Sequence, residues 1–277
     1  VFKWVGGKSQ LLGVLESLRP AKIQRYAEPF FGGGAFFFSL WNEAAFETAL
    51  LADANLDVIN TLQVVRQQPD ALLSELRRHQ TQYISRDEEG RAAYFYSVRA
   101  RHPLDFEMSD VERAGRMLFL NRTCYNGLWR ENKSGRFNTP HGRYKRPNIA
   151  PTERIRTASL ALGNATIVSS DFRKIPALVA KHEIDFVYLD PPYHPISATS
   201  AFNAYSQGGF SSTDQAELAA VCRLLDTMGV RFMLSNSDCE LIHDLYEGFD
   251  IRKVQATRAV SCKGNGRGRV SELVVRN

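Results

Sequence analysis

The chain has 277 residues, 44% of them hydrophobic and 23% charged, with four cysteines and a formal net charge of +5. That length can bury one large domain or one domain with an insertion, and no apolar run approaches the roughly 20 residues of a membrane span. Cys124, Cys222, Cys239 and Cys262 are scattered, with neither zinc spacing nor a disulfide framework, so no metal site and a reducing, cytoplasmic setting are expected. No signal peptide is expected, and because the first residue is Val1, nothing is built on where the chain begins.

The charge is concentrated. Asn121 to Pro147 carries Arg122, Arg130, Lys133, Arg136, Arg143, Lys145 and Arg146 against Glu131 alone. Arg252 to Asn277 carries seven basic residues against Glu272 alone, so the remainder of the chain is net acidic. Two basic segments on an acidic background have the form of a footprint for a polyanion.

In chain order, Arg25-Tyr26-Ala27-Glu28-Pro29 reads as a strand, Phe31-Gly32-Gly33-Gly34 as a loop, Ala35 to Trp41 as an apolar helix and Thr48 to Ala52 as a second strand ending at Asp53. This is the first βαβ unit of a doubly wound sheet. A glycine turn followed about 20 positions later by a strand-end carboxylate can hold a ribose. Three adjacent glycines without dinucleotide spacing or a Walker lysine disfavour nicotinamide cofactors and nucleoside triphosphates, which leaves a nucleoside without phosphates. From 57 to 149 helical patterns follow one another: Asp57 to Gln67, Ala71 to Tyr83, Arg91 to Val98, and Ser109 to Leu120, the last with a Ser109/Glu112 capping box. Strands resume at Ala165 to Val168, Ile184 to Leu189 and Arg231 to Leu234. The helix before the last of these reads as capped by Ser212 and Gln215, with Leu218, Val221, Cys222 and Leu225 on one face. Arg258 to Arg269 reads as a strand and loop beside the pocket. The expectation is an α/β fold whose sheet domain, 1–56 and 150–277, is interrupted by a mainly helical insertion, 57–149, that carries a β-hairpin.

The most informative residues are Asp190-Pro191-Pro192-Tyr193, directly after the apolar strand Ile184 to Leu189. Ligands bind at the carboxyl ends of strands in open α/β sheets, and two prolines stiffen the loop while removing two backbone donors. The loop offers acceptors and an aromatic face, which suits a flat ring bearing an amino group. Asp171-Phe172, after the third strand, repeats the pairing of carboxylate and ring at the same edge.

Lys3-Trp4-Val5-Gly6-Gly7-Lys8, Glu28-Pro29-Phe30-Phe31-Gly32-Gly33-Gly34, Asp53 with Asn55, Asn121-Arg122, Tyr125-Asn126-Gly127-Leu128-Trp129-Arg130, Asp171-Phe172 and Asp190-Pro191-Pro192-Tyr193, in this order, resemble the Dam-type DNA adenine-N6 methyltransferases over nearly the whole chain. The order is similar to that of the alpha group of amino-methyltransferases, with a Rossmann-like methyltransferase sheet. The resemblance implies S-adenosyl-L-methionine as cofactor: Phe31, Gly32 and Gly34 at its methionine end, Asp53 on its ribose, Asp171 and Phe172 on its adenine, Trp4 and Lys8 closing over it with Lys8 on its carboxylate, and Asp190 beside it. It implies that Asp190, Pro191, Pro192 and Tyr193 are catalytic. It also implies a nucleoid-associated protein that reads double-stranded DNA, with GATC as the target and a companion restriction endonuclease as one setting. Lys3 would approach the DNA. In the hairpin, Arg130 can read guanine edges, Asn126 can pair with a base or an orphaned partner, and Leu128 with Pro140 can touch a thymine methyl. Tyr125 can wedge into the stack, Lys133, Arg136, Arg143 and Lys145 face phosphates, and the resemblance also puts Arg122 among the DNA-binding residues.

Chemistry on a stacked adenine requires base flipping. Cytosine C5 methylation needs a cysteine nucleophile that the proline loop lacks. Cytosine N4 methylation is disfavoured by the carboxylate, and RNA adenine methylation or a catalytically silent DNA-binding protein remain as rivals.

Overall fold

A computed structural model describes residues 2–3, 8–195, 210–257 and 269–277. The chain divides into two compact units, one formed by Lys8–Ala54 with Asn164–Asn277 and the other by Val1–Gly7 with Asn55–Gly163.

The first unit is a seven-stranded sheet of β1 (Arg25–Glu28), β2 (Thr48–Asp53), β3 (Ala165–Ser169), β4 (Phe186–Leu189), β5 (Arg231–Ser237), β6 (Asp250–Thr257) and β7 (Arg269–Arg276) in the order β3-β2-β1-β4-β5-β7-β6. β1 to β5 are parallel and β7 runs antiparallel to both its neighbours. This is an α/β, doubly wound sheet of the Rossmann-like kind. The winding proceeds outward from β1 to β3 and restarts at β4, so the switch of direction falls between β1 and β4. Their register, Tyr26↔Phe186 and Ala27↔Val187, brings the glycine turn after β1 and the proline loop after β4 out side by side.

All four residues of β4 are buried, as a strand covered on both faces requires. Val187 and Leu189 join Leu218, Cys222 and Leu225 of the helix Ser212–Thr227. On the opposite face Tyr188 meets Phe36 of the helix Ala35–Asn42 edge to face at 4.8 Å, and Tyr26 lies 6.2 Å from the same ring.

The second unit is helical: Leu56–Gln67, Pro69–Ile84, Glu88–Ala100, Asp110–Thr123 and Thr152–Ala161. The helix Asp110–Thr123 is its axis, with an unbroken buried run from Ala114 to Thr123 packed by the three preceding helices. It begins with the expected Ser109/Glu112 capping box. Its Arg116 is buried and donates to the Val98 and Arg99 carbonyls, satisfying the open end of the helix before it. This unit extends beyond 57–149. It takes in residues 2–3 because the Asn121 side chain accepts from the Lys3 N–H (2.8 Å) and donates to the Lys3 carbonyl (2.7 Å). It takes in Thr152–Ala161, which has no strong sequence signature, because that helix packs on Leu56–Gln67 and Pro69–Ile84. The expected hairpin is present as an antiparallel excursion with two isolated bridges, Cys124↔His141 and Glu131↔Phe137, rather than as regular strands. No helix among the described residues is long and apolar enough to cross a membrane.

Glu28 ends β1 in a fully buried position, where its Oε2 accepts from the Tyr26 hydroxyl (2.7 Å) and the Phe37 N–H (3.1 Å). Burial pushes its carboxyl up to about 8. The folded protein therefore keeps a proton that the unfolded chain releases near its ordinary value. The associated stability is complete at acid pH and is lost as pH rises towards 8. Glu28→Gln keeps the acceptor and removes this dependence, so its stability relative to the wild type is expected to rise by a few kcal/mol between about pH 5 and about pH 8. Urea denaturation across that range checks this, and a pH-independent difference would refute it.

Candidate active site

The loop leaving β4 is built around one ion pair. Asp190 Oδ1 lies 2.8 Å from Lys8 Nζ, with the lysine side chain 7% and the aspartate 22% exposed. Burial raises the Asp190 carboxyl above its ordinary range, Lys8 opposes that shift, and Glu272 adds to it. The same ammonium sits 4.6 Å from the centre of the Tyr193 ring, a cation–π contact. The Tyr193 hydroxyl donates to Glu272 Oε2 at 2.7 Å, which ties the loop to β7. The resemblance implies Lys8 on a cofactor carboxylate; in this structure its ammonium faces the Asp190 carboxylate, a buried charge that a nearby cation stabilises.

The loop is also tied down from behind. The Pro192 carbonyl accepts from Gln215 Nε2, the His194 N–H donates to Asn236 Oδ1, and the His194 carbonyl accepts from Ser237 Oγ. Gln215, Asn236 and Ser237 are all buried. Sequence reasoning missed them, although Ser235-Asn236-Ser237, polar residues at the carboxyl end of an apolar parallel strand, carried a signal. Gln215 was masked because it reads as a capping residue, whereas the helix is capped by Ser211 with Asp214.

Beside this loop, the glycine turn is held by its own strand-end carboxylate. The Gly32 N–H donates to Asp53 Oδ2 (3.0 Å), which makes Asp53 a scaffold of the turn as well as an acceptor at the edge. Phe31 is buried beneath the turn at 2% exposure, packed on Phe37 and Phe38, so its ring shapes the turn and does not line the surface. Asp171 is about half exposed and pairs with Arg173 at 3.0 Å. Phe172 departs from expectation: its ring is buried between Phe30 (5.8 Å) and Phe210 (5.2 Å), with the Arg173 guanidinium 4.4 Å over it. It belongs to the core, and the partly buried Phe30 is the aromatic surface nearer to solvent. A glycine cradle flanked by two strand-end carboxylates suits a ligand rich in hydroxyl and amino donors, so these residues fit a nucleoside-type group. Trp4 lies outside the described residues, as does the stretch from Arg258 to residue 268.

In the helical unit, Tyr125 (56% exposed), Asn126, Arg130, Lys133, Pro140, Arg143 and Lys145 are all exposed. Asn126 and Arg143 have positive φ, at 54° and 56°. Arg130 donates to Asn138 Oδ1 at 2.6 Å, and Arg136 forms a two-point pair with Asp105. Leu128 is half-buried, and Trp129 packs on Phe137 at 4.5 Å as a small core for the excursion. Arg122 does not lie on the exposed face; it is buried, donates to the Asn148 carbonyl, and lines a cavity of about 460 Å³ with Lys3, Tyr144 and Arg154.

The chain belongs to a specific family, since the model of the D12 class N6 adenine-specific DNA methyltransferases matches residues 4–260. It is 40% identical to the type II methyltransferase M.MjaIII of Methanocaldococcus jannaschii, covering 99% of this chain and 97% of that one. It is 41% identical to the type II methyltransferase M1.LlaDCHI of Lactococcus lactis subsp. cremoris (99% and 94%) and 36% identical to the DNA adenine methylase of Serratia marcescens (98% and 96%).

Gly34 closes the turn at φ 63°, and a Cβ there would lie 2.2 Å from Cζ of Phe31. Gly34→Ala is expected to cost roughly 2 kcal/mol or more, from a left-handed backbone and from displacement of a buried ring. Thermal denaturation measures this, and an unchanged midpoint would show that the turn tolerates a side chain.

Proposed function

We propose that this protein transfers a methyl group from S-adenosyl-L-methionine to N6 of an adenine flipped out of duplex DNA, with GATC as its target. The observation that carries the reading is the juxtaposition of the Asp190 carboxylate, the Pro191 carbonyl and the Tyr193 ring on one stiff loop beside the glycine turn. An exocyclic amine has two N–H bonds, and the loop supplies two acceptors and a stacking face for it. Accepting both bonds draws the nitrogen lone pair out of conjugation and stabilises positive charge growing on nitrogen. No covalent bond to the enzyme is required. When bound at the glycine edge, S-adenosyl-L-methionine supplies an electrophilic methyl on its sulfonium. Asp53 is positioned for its ribose, and Asp171 with the Phe30 surface for its base. Pro192 keeps the loop rigid. Lys8 holds Asp190 ionised against burial and yields the Tyr193 face to the incoming base.

On the helical unit, Arg130 and Asn126 read base edges, Tyr125 fills the gap that the flipped base leaves, and Leu128 with Pro140 touches a thymine methyl. Lys3, Lys133, Arg136, Arg143 and Lys145 hold phosphates, and Arg122 organises the segment beneath them. GATC rests on the resemblance of Asn126-Gly127-Leu128-Trp129-Arg130 and Gly142-Arg143-Tyr144-Lys145 to GATC-reading relatives. A companion restriction endonuclease is the proposed setting, in keeping with the relatives named as type II methyltransferases.

Transfer of labelled methyl from S-adenosyl-L-methionine to duplexes carrying GATC, GATC already methylated at adenine, or a scrambled site tests the reading. Label is expected only in the unmethylated adenine of GATC, and Asp190→Ala is expected to abolish it without unfolding the protein. Adenine methylation elsewhere would overturn the target, and transfer to RNA alone would overturn the substrate.

The acceptor role requires ionised Asp190, so turnover falls as pH drops through its raised pKa. Lys8→Met removes the opposing charge, and the acid limb of kcat/KM is expected to move to higher pH. An acid limb that stays in place would show that Lys8 does not set the charge on Asp190.

A further inference from the structure

Pro191 and Pro192 have no N–H, so the loop they form can be fixed only by donors that reach its carbonyls or by acceptors for the amides beyond it. One buried chain of side chains does both. Asn236 Oδ1 accepts from the Ser237 N–H (2.8 Å) and the His194 N–H (3.2 Å). Two backbone donors on that oxygen leave Asn236 Nδ2 to face Gln215 Oε1, at 2.9 Å. Gln215 Nε2 is thereby turned to the Pro192 carbonyl, also at 2.9 Å. The orientation of both amides thus follows from backbone groups that cannot reverse. No group among the described residues donates to the Pro191 carbonyl.

We propose that Gln215, oriented by Asn236, is a positioning residue for methyl transfer: it takes up the Pro192 carbonyl and so leaves the Pro191 carbonyl, at a fixed place relative to Asp190, as the acceptor for the target amine. This rests on the reading of Asp190 and Pro191 given above. Both residues are wholly buried at the carboxyl end of β5 and in the first turns of the helix behind the loop, so neither touches the substrate. Their effect passes through the loop to the rate of the chemical step.

Three substitutions in the full chain test this. Gln215→Met conserves volume and breaks the bond to Pro192. Asn236→Asp keeps both backbone donors satisfied but offers a carboxylate to Gln215, whose amide reverses and sets its oxygen against the Pro192 carbonyl. Gln215→Glu can donate only when protonated, so its activity relative to the wild type falls with rising pH. We expect kcat on a GATC duplex to drop about tenfold or more in the first two, with the Kd for S-adenosyl-L-methionine and for the duplex unchanged, and the ratio of the Gln215→Glu rate to the wild-type rate at the same pH to rise towards acid pH. Wild-type kcat in Gln215→Met and Asn236→Asp overturns the positioning role. So does a loss of kcat matched by an equal loss of cofactor affinity or of folded structure by circular dichroism, which assigns the pair to general stability. If the wild type itself transfers no methyl to adenine of any duplex, the reading of Asp190 and Pro191 fails and the inference falls with it, so the two failures are distinct.

Discussion

A carboxylate at the end of a wholly buried strand is the constraint around which this edge of the sheet is arranged. β4 contributes four buried residues in a row, so Asp190 emerges into a region where its charge is poorly hydrated. The next two residues are prolines, and the usual remedy of backbone N–H groups is absent. Lys8 supplies the compensating charge from a separate segment of the chain. An exposed pair of this kind would contribute little, whereas a half-buried one controls the protonation state of its carboxylate. The same shortage of donors is what the proposed function uses, because an amine with two N–H bonds needs acceptors that are not already satisfied.

The neighbouring strand handles its carboxylate in the opposite way. Glu28 is deeper, receives bonds from Tyr26 and Phe37, lacks a paired cation and holds its proton to about pH 8. Burial raises the carboxyls at both of these adjacent strand ends, and Asp190 has the Lys8 ammonium set against that shift. Across the β1–β4 switch point, the Asp190 charge makes ionisation of Glu28 less favourable.

The parallel strands were legible because their apolar runs are short, bounded and end in polar residues. Thr48 to Asp53 and Ala165 to Ser169 were found to within a residue, and the capping box at Ser109 was read correctly. The antiparallel pair β6 and β7 was not, since Asp250–Thr257 and Arg269–Arg276 mix charged and apolar residues in a way that a one-sided edge permits. At the site, the loop sequence was enough to identify Asp190 and Tyr193, but their partners come from far along the chain. Lys8, Gln215, Asn236 and Glu272 reach them only through tertiary packing, and nothing local in the sequence distinguishes a surface lysine from one set against a buried carboxylate. Phe172 shows what a motif leaves out: its short pairing with Asp171 carries no sign of the packing by Phe30, Phe210 and Arg173 around its ring.

The two units divide donors from acceptors. Asp53, Asp171, Asp190 and the Pro191 carbonyl, all at one edge of the sheet, accept hydrogen bonds, which suits the hydroxyl and amino groups of nucleosides. The excursion of the helical unit exposes Arg130, Lys133, Arg143 and Lys145, which suits phosphates and the acceptor-rich guanine edge. Duplex DNA presents its acceptors on the outside and releases the amino group of adenine only when that base leaves the stack. On the proposed function, the donors serve an intact duplex and the acceptors a flipped base. An acceptor loop alone would have little hold on a polyanion, and a basic hairpin alone would have no means of turning an amine lone pair towards a methyl donor. The modest net charge of +5 is the sum of two basic segments and an acidic remainder, and its distribution along the chain carries more chemical meaning than its total.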